Sequence, residues 1–258
     1  MSVVARLDRW FFADVPARRV DVVRRLVYGY AAVWLLVRAG YLRDVSSLPD
    51  RRFEPIGMWA GLGEPLPPVV VTLLWLVAFS GCLATVFGRS KLIGPVAGAA
   101  AGLAVITYSN CWGQVFHTEN LLVLHLSVLA LGTLLDRGRP ELASGWPLRL
   151  MTLTTVVAYV LAGWAKLDIG GLDWVSGDVI RNQVAYDNLR KILLGDVHSP
   201  LGGWLAGVGW LWTPVAVATL VVELGAPVVL LGGRWRTLWV VAAWTFHLGI
   251  LALMAILF

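Results

Sequence analysis

Seven apolar blocks of about 20 residues, separated by short charged segments, run along this 258-residue chain. A helix needs about 20 residues to cross a bilayer core roughly 30 Å thick. In lipid every backbone N–H and C=O must be satisfied within the segment, so each block is expected to be helical. The blocks fall at about 24–42, 67–87, 91–109, 118–135, 147–167, 205–231 and 236–258. The expected fold class is all-α: a polytopic transmembrane helix bundle of about seven spans, or six if the block at 118–135 is re-entrant. Charged residues make up only 14% of the chain, against roughly 25% in soluble domains. That balance excludes a soluble globular enzyme and a disordered chain. The net charge of +5 comes without a basic cluster, so no nucleic-acid partner is expected. Cys82 and Cys111 lie far apart with no CxxC, which excludes a disulfide framework and a zinc site.

Loop charges set the orientation. With a cytoplasmic N-terminus, the inner segments carry 13 of the 21 basic residues, among them Arg6, Arg9, Arg18, Arg19, Arg89, Arg137, Arg139, Arg234 and Arg236. The outer loops carry six and are rich in acid, with Asp44, Asp50, Glu54, Asp168, Asp173 and Asp178. This bias obeys the positive-inside rule and favours seven spans over six. Residues 1–20 read as a basic cytoplasmic arm able to lie on anionic lipid, without the features of a secretory signal. Residues 21–258 read as one transmembrane domain. Gly94, Gly98 and Gly102 form a small-residue ladder on one helix face, expected to pack against a neighbouring helix of the same chain. Many of the fourteen tryptophans sit near block ends, as an interfacial belt does.

Ionisable groups inside a bilayer are costly and face the bundle interior. His117, Glu119 and Asn120 open the fourth block, and His125 lies about two turns deeper. Lys166 ends the fifth block at the outer side. Two readings of it stand side by side: an ammonium that snorkels to the interface, or a partly desolvated amine that can act as a base. Glu119 and Asn120 could fix the His117 tautomer or cap the helix start. Glu223 and His247 lie near the middle of the last two blocks. They read as a Glu–His bridge between helices, or as a proton relay. Arg38 can snorkel at its outer end.

The stretch Tyr159 to Gly177, Y-x3-G-x2-K-L-x6-W-x2-G, resembles the lysine segment of the vitamin K-dependent γ-carboxylases. It equally resembles their shorter bacterial relatives, the horizontally transferred transmembrane (HTTM) domain proteins. HTENLLVLHLSVLALGTLLD, from His117, is similar to that family's histidine-bearing segment. Glu223–Pro227, the basic Arg234–Arg236 and Phe246–His247 are similar to the closing spans of HTTM proteins. The order of the three elements matches, and the likeness covers about residues 20–258.

The resemblance implies a multi-pass protein of the bacterial cytoplasmic membrane with chemistry at the extracytoplasmic side. It implies Lys166 as the base that deprotonates a reduced quinone, menaquinone or vitamin K-like, and His117 as its partner in quinol epoxidation. Glu119, Asn120, His125, Trp164, Glu223 and His247 are then the candidate cofactor-binding residues, with no metal. Two departures bear on this. Ala165 precedes Lys166 where the carboxylases commonly carry a second lysine, and their large soluble substrate domain has no counterpart in these 258 residues. Three functions stay open: quinol-dependent, carboxylase-like chemistry on a peptide; a non-enzymatic accessory role toward a secreted peptide, a redox partner or another membrane or periplasmic protein; and transport. The lipid bilayer is a partner in all three.

Overall fold

Runs of Leu, Val and Ala with glycine and proline at their ends form helices almost throughout. A computed structural model describes residues 2–113, 117–135 and 141–256, the side chains at 117 and 118 excepted. The chain is all-helical apart from one short two-stranded ribbon among the described residues. It divides into two compact units, residues 1–154 and 155–258.

In the first unit the basic arm is not a loose tail. Ser2 caps α1 (Val3–Phe12) by accepting from the Ala5 N–H at 3.3 Å. β1 (Asp14–Pro16) then pairs antiparallel with β2 (Leu142–Ser144), Val15 opposite Ala143. Helices α2 (Ala17–Val37), α3 (Ala39–Asp44), α4 (Pro68–Val86), α5 (Ile93–Ser109) and α6 (His117–Leu135) follow α1 and β1 in the chain. Helix α7 (Trp146–Gly170) begins in this unit and ends in the second.

The glycine ladder packs within the chain. A Cβ at Gly98 would lie 3.0 Å from the Cys82 nitrogen, and one at Gly81 only 2.5 Å from the Gly98 nitrogen. Helices α4 and α5 therefore meet backbone to backbone, with Gly81 as the partner that the ladder on α5 does not itself reveal. Gly102 faces Leu126 of α6 at an ordinary 3.7 Å. Beside this contact the fully buried Tyr28 of α2 donates its hydroxyl to the Pro95 carbonyl at 2.8 Å, with the Leu126 carbonyl 3.2 Å away. One phenol thus ties three helices together.

The second unit departs from the expected loops. The segment expected as an outer loop over about 168–203 contains α8 (Asp173–Ser176), α9 (Asp178–Leu194) and α10 (Pro200–Leu205). The sixth block is not one helix but α11 (Trp212–Leu224) flanked by 3-10 turns at Gly209–Leu211 and Ala226–Leu231. Pro227 supplies the reason at one end. It has no N–H for the carbonyl four residues back, at Glu223, and its ring excludes the α-helical path there. The last helix, α12 (Gly233–Met254), ends with its four terminal carbonyls all satisfied. Leu251 accepts from the Ala255 N–H, Ala252 from the Ser199 hydroxyl at 2.5 Å, Leu253 from the Asn188 amide at 2.9 Å, and Met254 from the Lys191 ammonium. Among the described residues three helices, α4, α7 and α12, are long and apolar enough to cross a membrane; Glu119–Leu135 and Gly209–Leu224 are shorter apolar helical stretches.

Candidate functional site

Residues Tyr159, Gly163 and Lys166 of α7 stand at i, i+4 and i+7 and so share one helix face. At Gly163 α7 runs close against α11. A Cβ there would meet Leu224 Cγ and Cδ2 at 2.9 Å and Glu223 Cβ at 3.0 Å. Because glycine leaves that space empty, Glu223 comes within reach of the lysine one turn on. Lys166 Nζ donates to Glu223 Oε1 at 2.7 Å, a short charge-assisted bond. The Glu223 side chain is 6% exposed and that of Lys166 24%. The ammonium also lies 5.5 Å from the centre of the Trp174 ring, within cation–π range. It is held from three sides: by a carboxylate, an indole face and, at 3.4 Å, the Ala162 carbonyl of its own helix.

Two turns earlier on α7, Tyr159 Oη lies 2.5 Å from His247 Nε2 on α12. Trp239 packs edge-on against the Tyr159 ring at 5.0 Å and donates its indole N–H to the Val222 carbonyl at 2.9 Å. Val156, Ala226 and Val229 form the buried apolar floor beneath this pair. The Tyr159–His247 pair opens on a cavity of about 420 Å³ between α7 and α12, lined also by Thr155, Trp239, Ala243 and Trp244. The lining is largely apolar, with the phenol and the imidazole as its titratable groups.

Compared with known protein families, curated proteins and solved structures, this chain matches none.

The sequence-predicted residues divide between the two units. Lys166, Trp164, Glu223 and His247 belong to the second. Glu223 meets Lys166 and His247 meets Tyr159. Trp164 is 62% exposed and is not among the residues lining the cavity. The first unit holds the others. Glu119 is buried in the first turn of α6, with its Oε1 4.0 Å from Arg38. Asn120 beside it is half-buried, as is His125, whose ring bonds to the Met151 backbone. His117 opens α6, and its side chain lies outside the described residues. Among the described residues no group of three or more His, Cys, Asp or Glu is placed to hold a metal ion. The sequence singles out Tyr159, Gly163 and Trp174 only as positions of the Y-x3-G-x2-K-L-x6-W pattern, with no place among the site residues, and does not single out Trp239. The available signal was the seven-residue spacing from Tyr159 to Lys166, two full turns of one face.

Proposed function

We propose that this chain is a seven-span protein of a bacterial cytoplasmic membrane, N-terminus inside, whose second unit binds a reduced quinone and moves its protons. The carrying observation is the convergence on one face of α7 of two polar pairs, Lys166–Glu223 and Tyr159–His247, the latter opening on an apolar cavity. The fit to a quinone ring is chemical. About 420 Å³ lies within the range of small-molecule sites. Trp239 and Trp244 offer flat apolar walls, and the phenol–imidazole pair offers both a donor and an acceptor to a ring oxygen.

A bound quinol would supply two hydroxyl protons and two electrons, the electrons passing to dioxygen as the oxidant. The chain's own residues do the rest. The Tyr159 hydroxyl, bonded to His247 Nε2, takes up a proton as it passes its own to that nitrogen. Glu223, held by Lys166, keeps a buried carboxylate close to the phenol. Trp174 covers one side of the Lys166 ammonium. The likeness to the γ-carboxylases supports the lysine as part of the site, and the ion pair makes Lys166–Glu223 its unit of action.

The test is quinol-dependent oxygen uptake by the purified protein, with quinone binding followed by quenching of tryptophan fluorescence. Lys166→Ala, Glu223→Gln and His247→Ala should each lower uptake, and His247→Ala should also weaken binding. Equal uptake and equal quenching in all variants, His117→Ala included, defeats the reading. Transport is a second reading, favoured by the break in the sixth block beside Glu223. Discontinuous helices with an ionisable residue at the break are a transporter device. Proton flux in proteoliposomes that survives loss of the quinone site supports it.

A further inference from the structure

α1 presents a face that the described residues leave largely uncovered. None of its ten residues is buried. Val3, Val4, Leu7, Trp10 and Phe11 fall within an arc of about 120° of the helix circumference. Val3 is 68% exposed and Leu7 58%. Arg6 and Asp8 border the stripe, and Arg9 lies opposite. A ten-residue helix is shorter than the roughly 12–15 residues at which isolated helices become marginal in water. Its stability has to come from whatever buries that stripe.

The arm is also fixed in place. The Arg149 guanidinium donates from one nitrogen to the carbonyls of Phe11 at 2.9 Å and Ala13 at 2.8 Å. The same guanidinium carbon lies 5.9 Å from the Trp10 ring. The β1–β2 ribbon adds a second attachment, with the Ala17 N–H donating to the Glu141 carbonyl at 3.0 Å. Arg149 stands in the first turn of α7, one of the helices long enough to cross a membrane. The attachment therefore lies at the end of a spanning segment, where hydrocarbon gives way to headgroups. The segment from Ser2 to Arg19 carries Arg6, Arg9, Arg18 and Arg19 against Asp8 and Asp14. All four arginines are exposed.

We propose that α1 is an interfacial helix that buries its Val–Leu–Trp–Phe stripe at the headgroup–acyl boundary of an anionic leaflet, with Arg6 at the edge of the stripe and Arg18 just beyond the helix on lipid phosphates. An apolar stripe beside a polar face of net positive charge is the pattern such helices use, and here Arg6 and Arg9 outweigh Asp8. Arg149 holds the end of the helix at the depth where α7 enters the bilayer. This proposal rests on the membrane reading above, and one experiment separates the two.

The full chain is reconstituted in vesicles of phosphatidylcholine alone, or with one part in four phosphatidylglycerol. Single cysteines for an environment-sensitive fluorophore replace Leu7 on the stripe, Arg9 opposite it and Leu76 on the exposed face of α4. Cys82 and Cys111 are buried and compete little for the label. A shallow lipid-borne nitroxide should quench the Leu7 site at least about twofold more than the Arg9 site, as expected for a stripe some 5–10 Å into the interface. A deep nitroxide should quench the Leu76 site most. Leu7 quenching should rise with phosphatidylglycerol and lose that rise in Arg6→Glu/Arg18→Glu. Quenching at Leu76 without quenching at Leu7 overturns the α1 proposal and leaves the membrane reading standing. Absence of quenching at both sites overturns the membrane reading itself. Equal Leu7 quenching in both lipids overturns the anionic partner. A Leu7 signal that depends on dilution with unlabelled protein shows a second copy on the stripe and also overturns the proposal.

Discussion

Replacing Gly163 with alanine tests whether one missing methyl brings the lysine and the acid together. The new Cβ would sit 2.9 Å from Leu224 Cγ and Cδ2 and 3.0 Å from Glu223 Cβ. Comfortable carbon–carbon contact needs about 3.5–4.0 Å, so α11 must retreat by roughly half an ångström or more. Alanine gains about 1 kcal/mol in helix propensity over glycine. Overpacking costs about 1–3 kcal/mol. The net loss is then about 0–2 kcal/mol, and the melting midpoint in detergent should fall by at most a few degrees.

The sharper consequence is in the ion pair. A retreat of that size stretches the 2.7 Å contact between Lys166 and Glu223 to about 3.2 Å, the outer limit of a good hydrogen bond. A double-mutant cycle with Lys166→Met and Glu223→Gln reads this directly. Coupling of about 1–3 kcal/mol is expected in the parent, within the usual range for contacting residues, and half of that or less in Gly163→Ala. Gly249→Ala is the control. It lies on α12 with nothing within 4 Å of its would-be Cβ, so the propensity gain of about 1 kcal/mol should appear as stabilisation. The reasoning fails if Gly163→Ala leaves both the midpoint and the coupling energy unchanged.

Three further outcomes follow from the geometry. Tyr28→Phe removes the hydroxyl that the buried Pro95 and Leu126 carbonyls share. It should destabilise the first unit by about 1–3 kcal/mol, seen as earlier thermal unfolding with the fold otherwise intact. Lys191→Met and Ser199→Ala each leave a carbonyl at the end of α12 without its side-chain donor. Amide exchange should rise over the last turn of α12 and not over α4. The third outcome concerns pH. Burial pushes the Asp187 carboxyl up, but Lys191 at 2.9 Å and Arg190 at 2.9 Å outweigh it and hold the group below its ordinary range. A lowered folded value means stability that is fully present above the unfolded value, about 3.9, and lost as pH falls through the folded one. Asp187→Asn should therefore melt below the parent at neutral pH, with the difference closing at pH values under about 4.

Block length is enough to read α4, α5 and α6 of the first unit, because runs such as Pro68–Val86 decide their own conformation locally, whereas α1 is hidden in what reads as a basic arm. It is not enough in the sixth block. Its hydropathy is continuous, but Pro227 ends α11 at Glu223's own turn, and the acid is left at a helix end instead of mid-span. The ladder Gly94–Gly98–Gly102 announced a close contact, yet its partner Gly81 was one small residue among many. Lys166 stood out because a charge in an apolar block needs an explanation. His247 and Glu223 stand out for the same reason, but order along the chain does not show that Lys166 and Tyr159 meet them.

Within the sequence itself lie the helical character of this chain, the arginines that edge its first helix, and the isolation of a few ionisable groups among apolar residues. These are set by neighbours one or two turns away. Only the tertiary structure decided that Lys166 pairs with an acid 57 positions distant and Tyr159 with an imidazole 88 positions distant. It alone decided that Ser199, Asn188 and Lys191 close the end of α12. Such pairings depend on which helix faces meet, and that is fixed by where backbones can approach closely, as at Gly163, rather than by any property of the paired residues.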